Sequence, residues 1–155
     1  VQMAGQTAVA TVNQFKRIYR MEYNHGNINA GTVTARTVSG TGVVVAQVDP
    51  TLAQTLMAVY TVPAGFTGYL LNLDFSVNKG KDAQCRLYAR EFSRSFRIKH
   101  LTEVYESSYR YDFTVPLRFP EKTDIDIIAY QVESAGTRVS CNFNLILVDN
   151  ARPNH

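Results

Sequence analysis

The sequence predicts an all-β fold: an antiparallel β-sandwich, jelly-roll-like, with an extended N-terminal arm. Three observations carry this. Nine Tyr and eight Phe without a single Trp, beside many Val, Thr and Ile, suit a pleated, half-buried surface. Five segments alternate apolar and polar residues with period 2, the pattern of strands packed on one side. Turn signals separate these runs, and no long helical pattern lies between them, which favours an antiparallel sandwich over a parallel α/β sheet.

In chain order, Val12 to Tyr23 is ambiguous. As a helix it would stack Val12, Phe15 and Ile18 or Tyr19; as a strand it would align Phe15, Tyr19, Met21 and Tyr23, with Arg17 among them. Strand is favoured, because β-branched and aromatic residues dominate and no capping box precedes them. Asn24 to Ala30 reads as a loop, and Thr32 to Val38 as a short strand. Gly42 to Val48 is a Val-rich run ending at Asp49-Pro50, and Thr55 to Val62 is a further strand stopping at Pro63. Between them, Pro50 to Gln54 could hold one helical turn but is too short for a helix.

The five regular segments follow. Leu71, Leu73, Phe75 and Val77 share one face; Ala83, Cys85, Leu87 and Ala89 do the same against Gln84, Arg86, Tyr88 and Arg90. Tyr109, Tyr111, Phe113, Val115 and Leu117 form the third set, Ile125, Ile127 and Ala129 the fourth, and Val139, Cys141, Phe143, Leu145 and Leu147 the fifth. The expected core is Leu73, Phe75, Leu87, Phe113, Ile127, Phe143 and Leu145, with Cys85 and Cys141 as reduced thiols. Pro63-Ala64-Gly65, Lys79-Gly80-Lys81 and Ser134-Ala135-Gly136 are turn signals. Pro116 marks its segment as an edge strand or a strand end. The domain reading is an N-terminal arm and loop over 1–30, a sandwich over 31–149 and a polar tail over 150–155.

A chain of 155 residues with 45% hydrophobic and 19% charged residues can build one core. The formal charge of +3 is too mild to mark a committed nucleic-acid binder. No run approaches the ~18 apolar residues of a membrane span. The opening residues, VQMAGQTAVATVNQ, lack the basic region and apolar run of a signal peptide. The chain starts at Val1 rather than Met, so it reads as a mature or trimmed product or as part of a longer polypeptide.

The residues give no catalytic expectation, and no metal or other cofactor is expected. His25, His100 and His155 lack the spacing that places two imidazoles on one metal, and the two cysteines fit no zinc pattern. No serine lies in a G-x-S-x-G elbow. Asp124 and Asp126 would share a strand face; two carboxylates there could serve glycoside hydrolysis or calcium, but a solvated polar face is the simpler expectation. The glycine-rich SGTGVVVA lacks the features of a phosphate-binding loop. Charge concentrates in RLYAREFSRSFRIKH, where Arg86, Arg90, Arg94, Arg97, Lys99 and His100 interleave with Tyr88, Phe92 and Phe96. This pattern could cradle single-stranded nucleic acid. With Glu91, Glu103 and Glu106 nearby, a solvated or inter-subunit face is the favoured reading.

The run Ala58-Val59-Tyr60-Thr61-Val62-Pro63-Ala64-Gly65-Phe66-Thr67-Gly68-Tyr69-Leu70 resembles the Y-T-V-P-A-G-x-T-x-Y-L signature of a family of tailed-phage virion structural proteins, common in marine and cyanobacterial phages. Asn29 to Thr34, Gln54 to Met57 and Phe119 to Ile125 match in order and spacing, so the likeness spans about Asn29 to Val148. The resemblance implies a β-sandwich in a virion and brings no catalytic residues.

The functional expectation is therefore a non-catalytic head decoration, cement or head-fibre subunit, assembled in the host cytoplasm and resident in the virion. Its partners would be copies of itself and other virion proteins, such as capsid or tail proteins, with no membrane and no nucleic acid. The alternative is a tail, neck or adsorption protein whose sandwich binds a host glycan, for which a shallow groove lined by Tyr and Asp would be the mark. The expected contact residues are Phe15, Arg17, Ile18, Tyr19 and Tyr23 of the arm, with Arg86, Arg90, Arg94 and Arg97 as a second, basic face.

Overall fold

A computed structural model describes residues 7–15, 17–22, 29–37 and 42–152. It contains no helix among these residues and nine strands, and it divides into two compact units, Val1–Met57 and Ala58–His155.

In the first unit, β1 (Val33–Arg36) pairs antiparallel with β2 (Val44–Val48). Asn29 organises the chain beside this hairpin. Its side-chain amide donates to the carbonyls of Gly31 and Asp49 at 2.8 Å each, and its backbone carbonyl accepts from Thr51 N at 3.0 Å. Burial of Asn29 is thus matched by partners, as a buried amide requires. The strand expected over 12–23 is not formed in its described part. Glu22 makes one isolated bridge to Gln54, and Thr55 N donates to the Met21 carbonyl at 2.9 Å while Met21 N donates to Thr55 Oγ1 at 3.1 Å. The reason is visible in the exposure: Val12, Phe15 and Tyr19 are largely in solvent, so no alternate set of side chains has a core to rest on within this stretch.

The second unit is an antiparallel β-sandwich. One sheet has the order β3-β8-β5-β6, from β3 (Ala58–Thr61), β8 (Asp124–Val132), β5 (Asp82–Arg90) and β6 (Arg97–Tyr105). The other has the order β7-β4-β9, from β7 (Ser108–Phe119), β4 (Phe66–Val77) and β9 (Val139–Asp149). Leu70, Leu73, Phe75, Leu87, Val104, Phe119, Ile125 and Ile127 fill the space between the sheets. Phe113, Phe143 and Leu145, expected in the core, pack against it but are only half-buried. They lie on β7 and β9, the two edge strands of the three-stranded sheet, where cover from neighbours is thinnest.

Turn chemistry places the strand ends. At Pro63-Ala64-Gly65, Phe66 N donates to the Pro63 carbonyl at 3.2 Å, and Gly65 takes φ 81°, the positive value that a type II turn needs at its third residue. Gly68 has another role: a Cβ there would stand 3.1 Å from Val62 Cγ2 and 3.3 Å from Leu145 Cδ1, so any larger residue would push these core side chains aside.

Register slips break the simple alternation in the three-stranded sheet. On β4 the register slips between Leu70 and Asn72, so Leu70 becomes fully buried and Leu71 only half so. Opposite it, β7 goes from Leu117 (paired with Leu70) to Asp112 (paired with Asn72), leaving 113–116 unpaired with β4 and Val115 79% exposed. Pro116 sits in this gap on an edge strand, where its missing N–H costs no ladder bond.

Candidate functional site

The arginines of the basic segment are placed by different elements. Arg86 and Arg90 lie on β5, Arg94 in the connection that follows, and Arg97 at the start of β6. Arg90 directs Nε and Nη2 to Asp124 Oδ2 at 2.9 and 2.8 Å, while Thr61 Oγ1 donates to Asp124 Oδ1 at 2.8 Å. Asp124 is 3% exposed, so the solvated polar face expected for Asp124 and Asp126 is corrected: Asp124 is a buried, paired carboxylate. Asp126 is half-buried, and burial pushes its carboxyl above the usual range.

Arg94 and Arg97 instead join Lys99 and Arg118 around a cleft of about 310 Å³, whose wall also includes Ala89, Glu91, Phe119 and Thr123. The frame explains this convergence. Arg97 stands opposite Ala89, which itself faces inward, and the register slip between Leu87 and Tyr88 leaves Lys99 as the extra residue on β6. A bulge of this kind re-aims side chains at a strand end. Arg118 arrives from β7, opposite Tyr69, one residue before the buried Phe119. Arg94 is set by a turn in which its N–H donates to the Glu91 carbonyl at 2.9 Å, with Ser93 at φ 60°. None of the four cations takes part in an ion pair among the described residues. Thr123 is fully buried and its hydroxyl has no hydrogen-bond partner. Lys99 was legible in the basic run; Arg118 and Thr123, far off in sequence, were not singled out.

A second feature is the outer face of the four-stranded sheet. Cross-strand partners share a face, and two rows cross it: Leu101–Arg86–Ile128, and Ile98–Tyr88–Asp126–Val59. Ile98, Leu101 and Ile128 are exposed, as is Tyr130, over whose ring the Arg86 guanidinium lies at 3.4 Å. Arg86 is further fixed by Nε donating to Gln84 Oε1 at 2.8 Å.

His100 turns inward among Phe75, Tyr109, Tyr111 and Phe113, with ring centroids 4.6 to 6.5 Å away, and its Nε2 is buried without a partner. Burial lowers its pKa below the ordinary value, favouring neutral imidazole. Cys85 and Cys141 are both free thiols. Of the expected arm contacts, Phe15 and Tyr19 are 62% and 50% exposed, Arg17 is exposed and Ile18 half-buried. Tyr23, like His25 and His155, lies outside the described residues. Among the described residues no three of His, Cys, Asp and Glu gather as a metal site would need, and no helix is long and apolar enough to cross a membrane. The cleft is lined by cations, not by the Tyr and Asp named above as the mark of a glycan groove.

Compared with known proteins, the chain matches no family model, no curated protein and no solved structure.

Proposed function

We propose that this chain is a non-catalytic structural subunit of a tailed-phage virion, a head decoration, cement or head-fibre protein that works by contact with copies of itself and with other virion proteins. The observation that carries the reading is the outer face of the β3-β8-β5-β6 sheet. Ile98, Leu101, Ile128 and Tyr130 stand exposed on it beside Arg86 and Tyr88. Aliphatic, Tyr and Arg side chains together are the composition of interface centres, and an exposed apolar cluster on a sheet is seldom left bare. The Arg86 fork is already stacked and hydrogen-bonded, so little side-chain freedom remains to be lost on docking.

The sequence signature over Ala58 to Leu70 supplies the virion part of the proposal. Chain winding supports the jelly-roll-like part: from β3 to β9 each connection passes to the other sheet except β5 to β6. In this reading the arm is a second contact, with Phe15 and Tyr19 offering exposed rings.

Incorporation into particles tests the proposal. Leu101→Glu and Ile128→Glu replace exposed residues, so circular dichroism should stay that of the folded sandwich while the copy number per particle collapses. Deleting residues 1–23 should likewise leave a folded sandwich that no longer joins its assembly. If all three variants enter particles at the wild-type level, neither surface is the contact and the proposal fails.

A further inference from the structure

The outer sheet face leaves the basic cleft unused. We propose that the cleft formed by Arg94, Arg97, Lys99 and Arg118 is a binding site for an oxyanion, a carboxylate, sulfate or phosphate group, carried on a small ligand. This inference does not depend on the virion reading, since it uses other residues and another surface of the sandwich.

Four cations and one carboxylate, Glu91, surround a single concavity. Like charges lining one cleft repel one another, and none of the four is relieved by an ion pair among the described residues. Elsewhere in the same sheet the fold does neutralise arginine, as the Arg90–Asp124 pair shows. An arriving anion would supply the missing counter-charge, and planar guanidinium forks match the paired oxygens of these groups.

The second observation is independent of charge. Thr123 lines the cleft, is fully buried, and has a hydroxyl without a partner. A hydroxyl can donate to an anion oxygen, and leaving one buried and unpaired is unfavourable enough that such atoms are scarce in folded proteins. The backbone around it is spoken for: Thr123 N donates to Pro120 O at 3.3 Å, and its carbonyl accepts from Val62 N at 2.9 Å. The threonine is therefore held in place beside the cleft with its hydroxyl buried and unpaired.

Size narrows the ligand class. About 310 Å³ is roughly ten times the ~30 Å³ that one water occupies in the liquid. This leaves room for the body that bears the anion, such as one acidic sugar ring. The loop's two aromatic rings, Phe92 and Phe96, are exposed, and each has a cation over one face, Lys122 at 5.4 Å and Arg90 at 4.4 Å, so an oligonucleotide is the competing outcome of the test.

Isothermal titration of the full chain with sulfate, phosphate, acetate and glucuronate, at ionic strength matched with chloride, tests this. One saturable site is expected. Arg97→Gln and Arg118→Gln should each weaken it about tenfold, the usual effect of losing one charge-assisted hydrogen bond. Thr123→Val should weaken it while the far-ultraviolet spectrum is kept, and Arg138→Gln, an exposed arginine outside the cleft, should leave it unchanged. Glucuronate binding more tightly than acetate supports a site that also holds the ligand body; equal binding supports recognition of the oxyanion alone. The proposal is overturned if no titration saturates, if Arg138→Gln weakens binding as much as Arg97→Gln, or if only oligonucleotides or acidic peptides bind.

Discussion

Replacing Arg90 by Ala should destabilise the sandwich more than replacing Asp124 by Asn, although each removes one half of the same ion pair. The asymmetry follows from burial. The Asp124 side chain is 4% exposed and that of Arg90 36%. Arg90→Ala strands a carboxylate away from water, with Thr61 Oγ1 at 2.8 Å among its remaining partners. Breaking a fully buried pair costs about 3–5 kcal/mol. Because a third of Arg90 already reaches water, about 2–3 kcal/mol is the reasonable share here. Asp124→Asn leaves a guanidinium that can turn to solvent and keeps a hydrogen-bonding side chain for Thr61, so about 1–2 kcal/mol is expected. For a chain of this size each kcal/mol moves Tm by about 2–4 °C, which gives Arg90→Ala a loss of about 4–12 °C. Arg90→Lys should recover only part, since Nε and Nη2 both bond Oδ2 and an ammonium cannot reproduce that fork. Thermal unfolding followed by circular dichroism measures all three, with the double variant Arg90→Ala/Asp124→Asn closing a cycle. Equal losses for Arg90→Ala and Asp124→Asn, or additive losses in the double variant, would refute the assignment of Asp124 as the buried partner.

Three further outcomes are expected. Phe75→Ala should cost about 3–5 kcal/mol and Phe143→Ala distinctly less, because Phe75 is 1% exposed and Phe143 half-buried; equal losses in urea unfolding would contradict the edge-strand account. The His100 pKa is lowered by burial, so the unfolded chain binds the proton more readily; stability should be complete above about pH 6.5 and fall as pH drops from there towards the folded value. His100→Phe should flatten that part of a stability–pH curve. Burial together with the Cys85 and Asp74 charges pushes the Cys141 thiol up to about 12, and burial raises Cys85 too, so both should react slowly with a thiol reagent at pH 8 in the folded chain and fast in denaturant.

Much of the sandwich was legible because period-2 runs are long where a strand is covered on one side. Ala83, Cys85, Leu87 and Ala89 alternate with polar partners, and all four are buried. β6 was missed as a counted strand for a physical reason: the bulge residue Lys99 breaks the alternation, and Ile98 and Leu101 face out while His100 faces in. The same bulge helps to build the cleft, so the segment hardest to read as a strand is the one that carries a candidate site. Arg118 escaped notice because its relation to Arg97 comes from two different sheets, which no local pattern records. In the first unit the aromatic-rich 12–23 segment reads as strand from its residue types and the lack of a capping box. Its exposed Phe15 and Tyr19 show that β-propensity without a surface to cover does not make a strand.

The central claim is that this chain functions as a fixed part of a particle, and imaging the intact virion at subunit resolution tests it most directly. The account predicts copies of the sandwich in a regular array, with Leu101, Arg86 and Ile128 of the outer sheet face covered by a neighbouring subunit. A particle that lacks the chain, or one in which that face is open to solvent in every copy, would contradict it.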